Sequence, residues 1–223
     1  MDKPSTLQKQ YFMRFESVSD YRNSLWQLLC RDFFQRLVTE EANLLELGCG
    51  WGEFSNNINA GRKYAMDLNP DAALKLNHGV EVLVQDCSEP WPIADASLDV
   101  IFTSNFLEHL PNKSAVESTL RHVWRCLKPG GQIICMGPNG RLLPGTYWDF
   151  WDHHVMITDR SLAELLKLSG FTVTKQLSRF LPYSLSRKWN PPLWMVRYYL
   201  RMPVVWRILG KQFLLIGEKR LAS

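Results

Sequence analysis

No stretch of this 223-residue chain approaches the roughly 18–20 uncharged residues that a membrane-spanning helix needs. The opening residues, Met1-Asp2-Lys3-Pro4-Ser5-Thr6, lead into polar sequence and not into an apolar signal core, so the expected location is the cytoplasm, with peripheral contact to the inner face of the membrane left open. Cysteine is scarce and unpaired in pattern. Cys30, Cys49, Cys87, Cys126 and Cys135 are odd in number and contain no C-x-x-C, which fits neither a disulfide framework nor a zinc site. They are expected to be reduced and to act as small buried hydrophobes. Internal repeats and low-complexity linkers are also missing.

Acid is absent from one long segment. Between Leu165 and Gly217 there is no Asp or Glu, while Arg179, Arg187, Lys188, Arg197, Arg201, Arg207 and Lys211 fall inside it. The formal charge of +4 therefore conceals a strongly basic end and a mildly acidic remainder. A solvated basic flank is the ordinary reading, and a surface for an anionic partner the sharper one. With 46% hydrophobic and 22% charged residues, the chain is globular and long enough for one domain with an appendage.

Periodicity alternates between strand-like and helix-like after a helical opening, which predicts an α/β sheet with helices on both faces. Apolar residues at helical spacing run over Ser19–Val38. Strands are expected at Asn43–Leu47, Lys63–Leu68, Val80–Asp86, Leu98–Ser104, Gln132–Met136, Phe171–Leu177 and Gln212–Gly217. Ser114-x-x-Glu117 reads as a capping box for a helix to Leu127, and Thr158 as the N-cap of a helix over Asp159–Ser169 stopped by Gly170. The expected division is a helical cap over residues 1–40, a core over 41–177, a basic aromatic insertion over 178–211, and the final strand with its tail over 212–223.

The most informative stretch is Glu46-Leu47-Gly48-Cys49-Gly50-Trp51-Gly52-Glu53. A buried strand here runs into a glycine turn at the start of a helix, where glycine permits positive φ and close approach to a ligand. It is not a dinucleotide fingerprint, because Glu53 stands at the last glycine position and Glu46 would repel a pyrophosphate. Asp67, at the end of the second strand, suits a pair of ribose hydroxyls, and Asp86, at the end of the third, suits an adenine amino group.

Together with Gln85-Asp86, Leu98-Asp99-Val100-Ile101, Asn105-Phe106-Leu107-Glu108-His109-Leu110 and Leu127-Lys128-Pro129-Gly130-Gly131, these residues resemble the class I S-adenosylmethionine-dependent methyltransferases, small-molecule branch. The resemblance implies a Rossmann-like sheet of seven strands with the last strand antiparallel. It implies S-adenosyl-L-methionine as cofactor and S-adenosyl-L-homocysteine as product. By position it sets Gly48, Cys49 and Gly50 under the methionine part, with Glu46 favouring the cation. Asp67 and neighbouring Leu68 go to the ribose, Asp86 and Cys87 to adenine, and Asn105 and Phe106 to the methionine end. Glu108-His109 is a common feature of the family, read here as equally suited to packing and to chemistry.

On the acceptor side, the candidate segment is Tyr147–His154. His153 or His154 is the candidate general base, with Asp152 as a further catalytic candidate and Asp149 beside it. Tyr11, Tyr147, Trp148 and Trp151 are the candidate substrate contacts, the last three for the apolar face of an acceptor, and the segment Gln10–Phe15 around Tyr11 reads as a lid over the cofactor or a surface helix. No metal is expected, because the tandem histidines have no third ligand placed nearby in sequence. The acceptor expectation is a small molecule or glycan methylated at oxygen. The alternatives are a membrane-peripheral enzyme of a quinone-like or prenyl-linked acceptor, and a catalytically silent cofactor-binding partner subunit.

The insertion reads as one helix over Leu193–Lys211 broken at Pro203, with Arg197, Arg201, Arg207 and Lys211 on one arc. A substrate lid or homodimer contact is weighed there against an anionic membrane surface. Nucleic acid is not expected, since no binding module accompanies the charge. The chain is expected to be a monomer or a homodimer.

Overall fold

The computed structural model describes residues 6–183 and 190–220, and Arg187 and Lys188 of the basic insertion lie outside the described residues. Seven strands form one sheet: β1 (Asn43–Leu47), β2 (Arg62–Asp67), β3 (Val80–Val84), β4 (Leu98–Ser104), β5 (Leu127–Pro138), β6 (Thr172–Leu177) and β7 (Gln212–Glu218). Their order is β3-β2-β1-β4-β5-β7-β6. β1 pairs in parallel with both β2 and β4, whereas β7 runs antiparallel between β5 and β6. The chain winds outward from β1 to β3 and then returns to lay β4 on the other side of β1. That reversal opens a crevice at the carboxyl ends of β1 and β4, where ligands of open α/β sheets bind.

The central strands are apolar on both faces because helices cover both. Alternation along each strand divides the core in two. Leu45, Leu47, Ile101 and Ile133 meet Leu120 and Val123 of α5 (Lys113–Cys126) and Leu166 of α6 (Asp159–Leu168) on one face. On the other, Leu44, Val100, Phe102 and Ile134 meet Leu28 and Leu29 of α2 (Ser19–Asp32) and Phe54 of the short α3 (Glu53–Asn57). Phe54 and Phe102 stack with centroids 3.7 Å apart and planes 11° off parallel, and Phe34 meets Phe102 edge-on at 5.1 Å. All five cysteines are buried and free.

Local signals account for most boundaries. The Thr158 side chain accepts from Ser161 N at 3.0 Å at the start of α6, and Gly170, with φ of 92°, follows its end. α5 differs from expectation. Its cap is Asn112, whose Oδ1 accepts from Ala115 N at 2.9 Å, so Ser114 falls inside the first turn. Asn112 is extended and its side chain reaches the third helical amide, which leaves no capping task for Ser114. Pro203 does break the insertion. α7 (Leu193–Leu200) ends before it, and α8 (Pro203–Leu209) starts on it, where its missing N–H costs nothing. A ten-residue helix, α1 (Thr6–Phe15), precedes α2, and a single turn, α4 (Ala72–Lys75), follows β2. Among the described residues no helix is long and apolar enough to cross a membrane.

Phe102 is fully buried at the centre of one core, so Phe102→Ala is expected to cost about 3–5 kcal/mol, measurable as a lower urea midpoint.

Candidate active site

At the tip of β1 the backbone turns through three glycines of positive φ: Gly48 (66°), Gly50 (55°) and Gly52 (76°). Space as well as conformation excludes a side chain there. A Cβ on Gly48 would lie 2.3 Å from the Phe106 ring, and one on Gly50 2.8 Å from Tyr11. Two carboxylates hold the turn. Asp67 Oδ2 accepts from Gly50 N at 2.7 Å while its Oδ1 accepts from Asn69 N at 2.8 Å, tying the ends of β1 and β2 together. Glu46 Oε2 accepts from Ser55 N at 3.0 Å and Ser55 Oγ at 2.6 Å, capping α3.

Beyond the turn lies a cavity of about 470 Å³, inside the roughly 300–1,000 Å³ typical of cofactor and small-molecule sites. One end is lined by Asp67, Leu68, Gln85, Asp86 and Cys87 from the tips of β2 and β3. Asp86 Oδ1 is engaged by Ser88 N and Oγ at 2.8 and 2.7 Å. Asn105 and Phe106 form the middle, and Tyr11 of α1 roofs it. Asn105 sits in the left-handed region at φ 50°, an uncommon conformation for a non-glycine residue, and its buried Oδ1 has no hydrogen-bond partner.

The other end is walled by Arg14, Glu108, His109, Phe150, Asp152, His153 and Tyr183. Asp152 is its hub. Arg14 donates to both carboxylate oxygens at 2.8 and 2.6 Å, which latches α1 to the segment after β5. His109 Nδ1 lies 2.9 Å from Asp152 O and 3.2 Å from its Oδ2. Both are acceptors, so Nδ1 carries the proton and Nε2 is the basic position. Burial opposes the charge on His109, but the Asp152 hydrogen bond and the nearby Glu108 and Asp152 charges outweigh it and raise its pKa. Burial likewise works against ionised Asp152, yet the bonds from His109 and Arg14 hold it well below the usual carboxylate range. Burial and the neighbouring His109 push His153 down to about 4, so it is neutral at physiological pH. Its Nδ1 is buried and unpartnered, and its ring stacks on Phe150 at 5.0 Å.

Comparison with known proteins decides what this crevice belongs to. A family defined by its methyltransferase domain matches residues 21–176. The chain belongs to that methyltransferase family. A curated relative from Mycolicibacterium smegmatis, named "Probable S-adenosylmethionine-dependent methyltransferase", is 29% identical over 156 residues, 66% of this chain and 59% of its own length. This chain thus spans about three-fifths of that relative. The solved S-adenosylmethionine-dependent methyltransferase of Archaeoglobus fulgidus superposes with a TM-score of 0.67 at 21% identity, covering 94% of this chain and 99% of its own. The N-methyltransferase NodS of Bradyrhizobium japonicum WM9, solved with S-adenosyl-L-homocysteine, does so at 0.59 and 14% identity, covering 90% and 86%. At such identities the two solved structures carry the fold alone.

The cofactor of the family is S-adenosylmethionine, and the residues of this methyltransferase suit it. Asp67 and Asp86 line the cavity with their carboxylates, and the orphaned Asn105 Oδ1 is a further free acceptor beside them. Glu46, Gly48, Cys49 and Gly50 stand behind the cavity wall, where Phe106 and Tyr11 cover the glycines. Glu46 therefore serves the turn and not the cation directly. Tyr11 lines the cavity and packs on the glycine turn near Asp67.

Several acceptor-side expectations are corrected. Tyr147 is fully buried, and its hydroxyl is spent donating to Val155 O at 2.8 Å and accepting from Ile157 N at 2.9 Å. It braces the loop and offers nothing to a ligand. Trp148 and Trp151, 50% and 89% exposed, lie off the cavity, to which Phe150 and Tyr183 contribute alongside Tyr11, Phe15 and Phe106. His154 is exposed and outside the lining, and only its backbone N–H is tied, to Glu108 O at 2.8 Å. Adjacent residues of this extended segment diverge, so His153 turns inward and His154 outward. The tandem pair is consequently no metal site. His153 instead joins Glu108 and His109, with one ligand atom of each within 4.8 Å of the others.

Asp67→Ala is expected to weaken S-adenosylhomocysteine binding about 10- to 100-fold by calorimetry, as hydrogen bonds to a charged group are worth about 1.5–3 kcal/mol. Glu46 gives a pH test. Burial lifts its carboxyl from 4.5 to about 8 despite the Ser55 bonds. The folded chain therefore retains a proton that the unfolded chain releases, and stability falls as pH rises from about 4.5 through about 8. Glu46→Gln should flatten that part of the urea-stability profile relative to the parent.

Proposed function

We propose that this methyltransferase moves a methyl group from S-adenosylmethionine to an oxygen of a small-molecule or glycan-type acceptor, with His109 as general base. The observation that carries the reading is the Asp152–His109 pair on the cavity wall, four residues along from Asn105 at the methionine end. When bound, the cofactor supplies a methyl carbon made electrophilic by its sulfonium. Asn105 and the carboxylates at the tips of β2 and β3 orient it. Phe150, Tyr183 and the stacked His153 form an apolar wall that holds the acceptor and excludes water.

An acceptor hydroxyl beside His109 gives its proton to Nε2 as the oxygen lone pair bonds the methyl carbon. With the cofactor bound, the carbon–sulfur electron pair would stay with sulfur, and the neutral thioether S-adenosylhomocysteine would be the leaving group. Asp152 stabilises the imidazolium that forms and fixes its tautomer. Arg14 holds Asp152 from α1, so closure of that helix and alignment of the base are one event. His153 is unsuited to the same task because its depressed pKa leaves it a weak proton acceptor.

Release of S-adenosylhomocysteine with a panel of hydroxylated acceptors tests the reading. Turnover should rise with pH through a His109 pKa above its ordinary 6.5, since the base acts only when unprotonated. His109→Gln should lower turnover by about 10²- to 10⁴-fold and remove that rising limb while cofactor affinity persists. Asp152→Asn should move the limb to lower pH. An unchanged profile in His109→Gln would end the assignment. Dialysis against a chelator is expected to leave turnover intact; loss restored by one divalent cation would reassign Glu108, His109 and His153 as metal ligands.

A further inference from the structure

The acid-free segment ends in a surface that the catalytic reading does not use. α7 and α8 bury one side of themselves. Leu193, Val196, Tyr199, Leu200 and Trp206 pack on the core face that holds Phe33 and Phe180. Hydrogen bonds fix the mount: Trp206 Nε1 donates to Tyr199 O at 2.7 Å, the Tyr199 hydroxyl donates to Phe180 O, and Arg179 donates to Gly210 O at 2.9 Å. The pair of helices is thus a fixed part of the domain.

Their outer side is apolar where solvent would favour polar groups. Trp194 and Tyr198, one helical turn apart, are 63% and 60% exposed, and Val204 and Ile208, again one turn apart, are 70% and 69% exposed. Met202 and Leu209 add to the same outward set. The polar residues among them are Arg197, Arg201 and Arg207, all exposed; Arg197 pairs with Asp32 of α2 at 3.2 Å, and the segment from Leu165 to Gly217 itself contributes no carboxylate. Scattered exposed hydrophobics are ordinary; this many on two consecutive short helices are not.

We infer that α7 and α8 form an interfacial platform that docks this protein on an anionic lipid bilayer. Charge selects the occupant. In a symmetric dimer the patch would meet itself, setting Arg201 and Arg207 of one copy against those of the other, while the neighbouring Asp32 is already engaged by Arg31 and Arg197. A bilayer of anionic lipid supplies both components at once: phosphates for the arginines and an acyl boundary for Val204, Ile208 and the two rings. Trp and Tyr favour that depth, with apolar bodies and hydrogen-bonding tips. The helices are too short to span, so the platform lies in the interface plane.

Co-sedimentation of the full chain with vesicles tests this without reference to turnover, so its outcome is separate from that of the methyl-transfer reading. The protein should pellet with phosphatidylcholine vesicles containing about a third phosphatidylglycerol at low salt. It should pellet weakly with pure phosphatidylcholine and be released as salt screens the charge. Arg201→Glu with Arg207→Glu should cut partitioning at least about tenfold, given about one factor of five per basic residue near such a surface. Val204→Ser with Ile208→Ser should also weaken it, with unchanged melting temperature as the folding control. Wild-type protein that stays in the supernatant with anionic vesicles overturns the proposal. So does equal binding by the charge-reversed variant, or a concentration-dependent dimer in light scattering that Ile208→Ser abolishes.

Discussion

The site depends on a backbone that has no room for side chains. At the end of β1 the chain must reverse into α3 while leaving its amides near the tips of β2 and β4, and three glycines of positive φ accomplish this. Asp67 then fixes the geometry from the neighbouring strand by accepting the Gly50 amide. A carboxylate that binds backbone on one side and faces a cavity on the other couples sheet register to ligand position. If β2 slipped by one residue against β1, Asp67 would point to the opposite face, and both the turn and the cavity wall would lose it.

Asp152 plays a comparable part at the far end. It gathers Arg14 from the first helix and His109 from the turn after β4, elements separated by most of the sheet in sequence. The two partners together hold the carboxylate acidic against the pull of burial. The result is an ion pair that closes the roof and a histidine whose free nitrogen is chosen by the bond its other nitrogen makes. Tyr147, mistaken in sequence for a ligand contact, contributes by holding the loop that carries Asp152 and His153.

The two ends of the molecule differ in how much the linear pattern revealed. The strands, the glycine turn and the cavity-lining carboxylates Asp67 and Asp86 were legible because each sits at or just past a strand terminus, and period-2 alternation with a terminal turn marks those termini. The acceptor side was legible only in outline. Within Tyr147–His154 every residue is aromatic or titratable, and neither a helix nor a strand period says which of them point inward. Phe150 and His153 entered the cavity; Trp148, Trp151 and His154 did not. Arg14 and Tyr183 carried no local signal at all, since their relevance comes from contacts with residues more than thirty positions away.

By itself, then, the amino-acid order determined an α/β sheet, a tight glycine turn after its first strand and an acid-free aromatic segment interrupted at Pro203, because all three are marked by patterns among near neighbours in the chain. Tertiary structure alone decided that His109 and not His154 meets Asp152, that Glu46 serves the turn, and which side of α7 and α8 faces outward. Those outcomes depend on side-chain direction and on packing between distant segments, and no local periodicity encodes either.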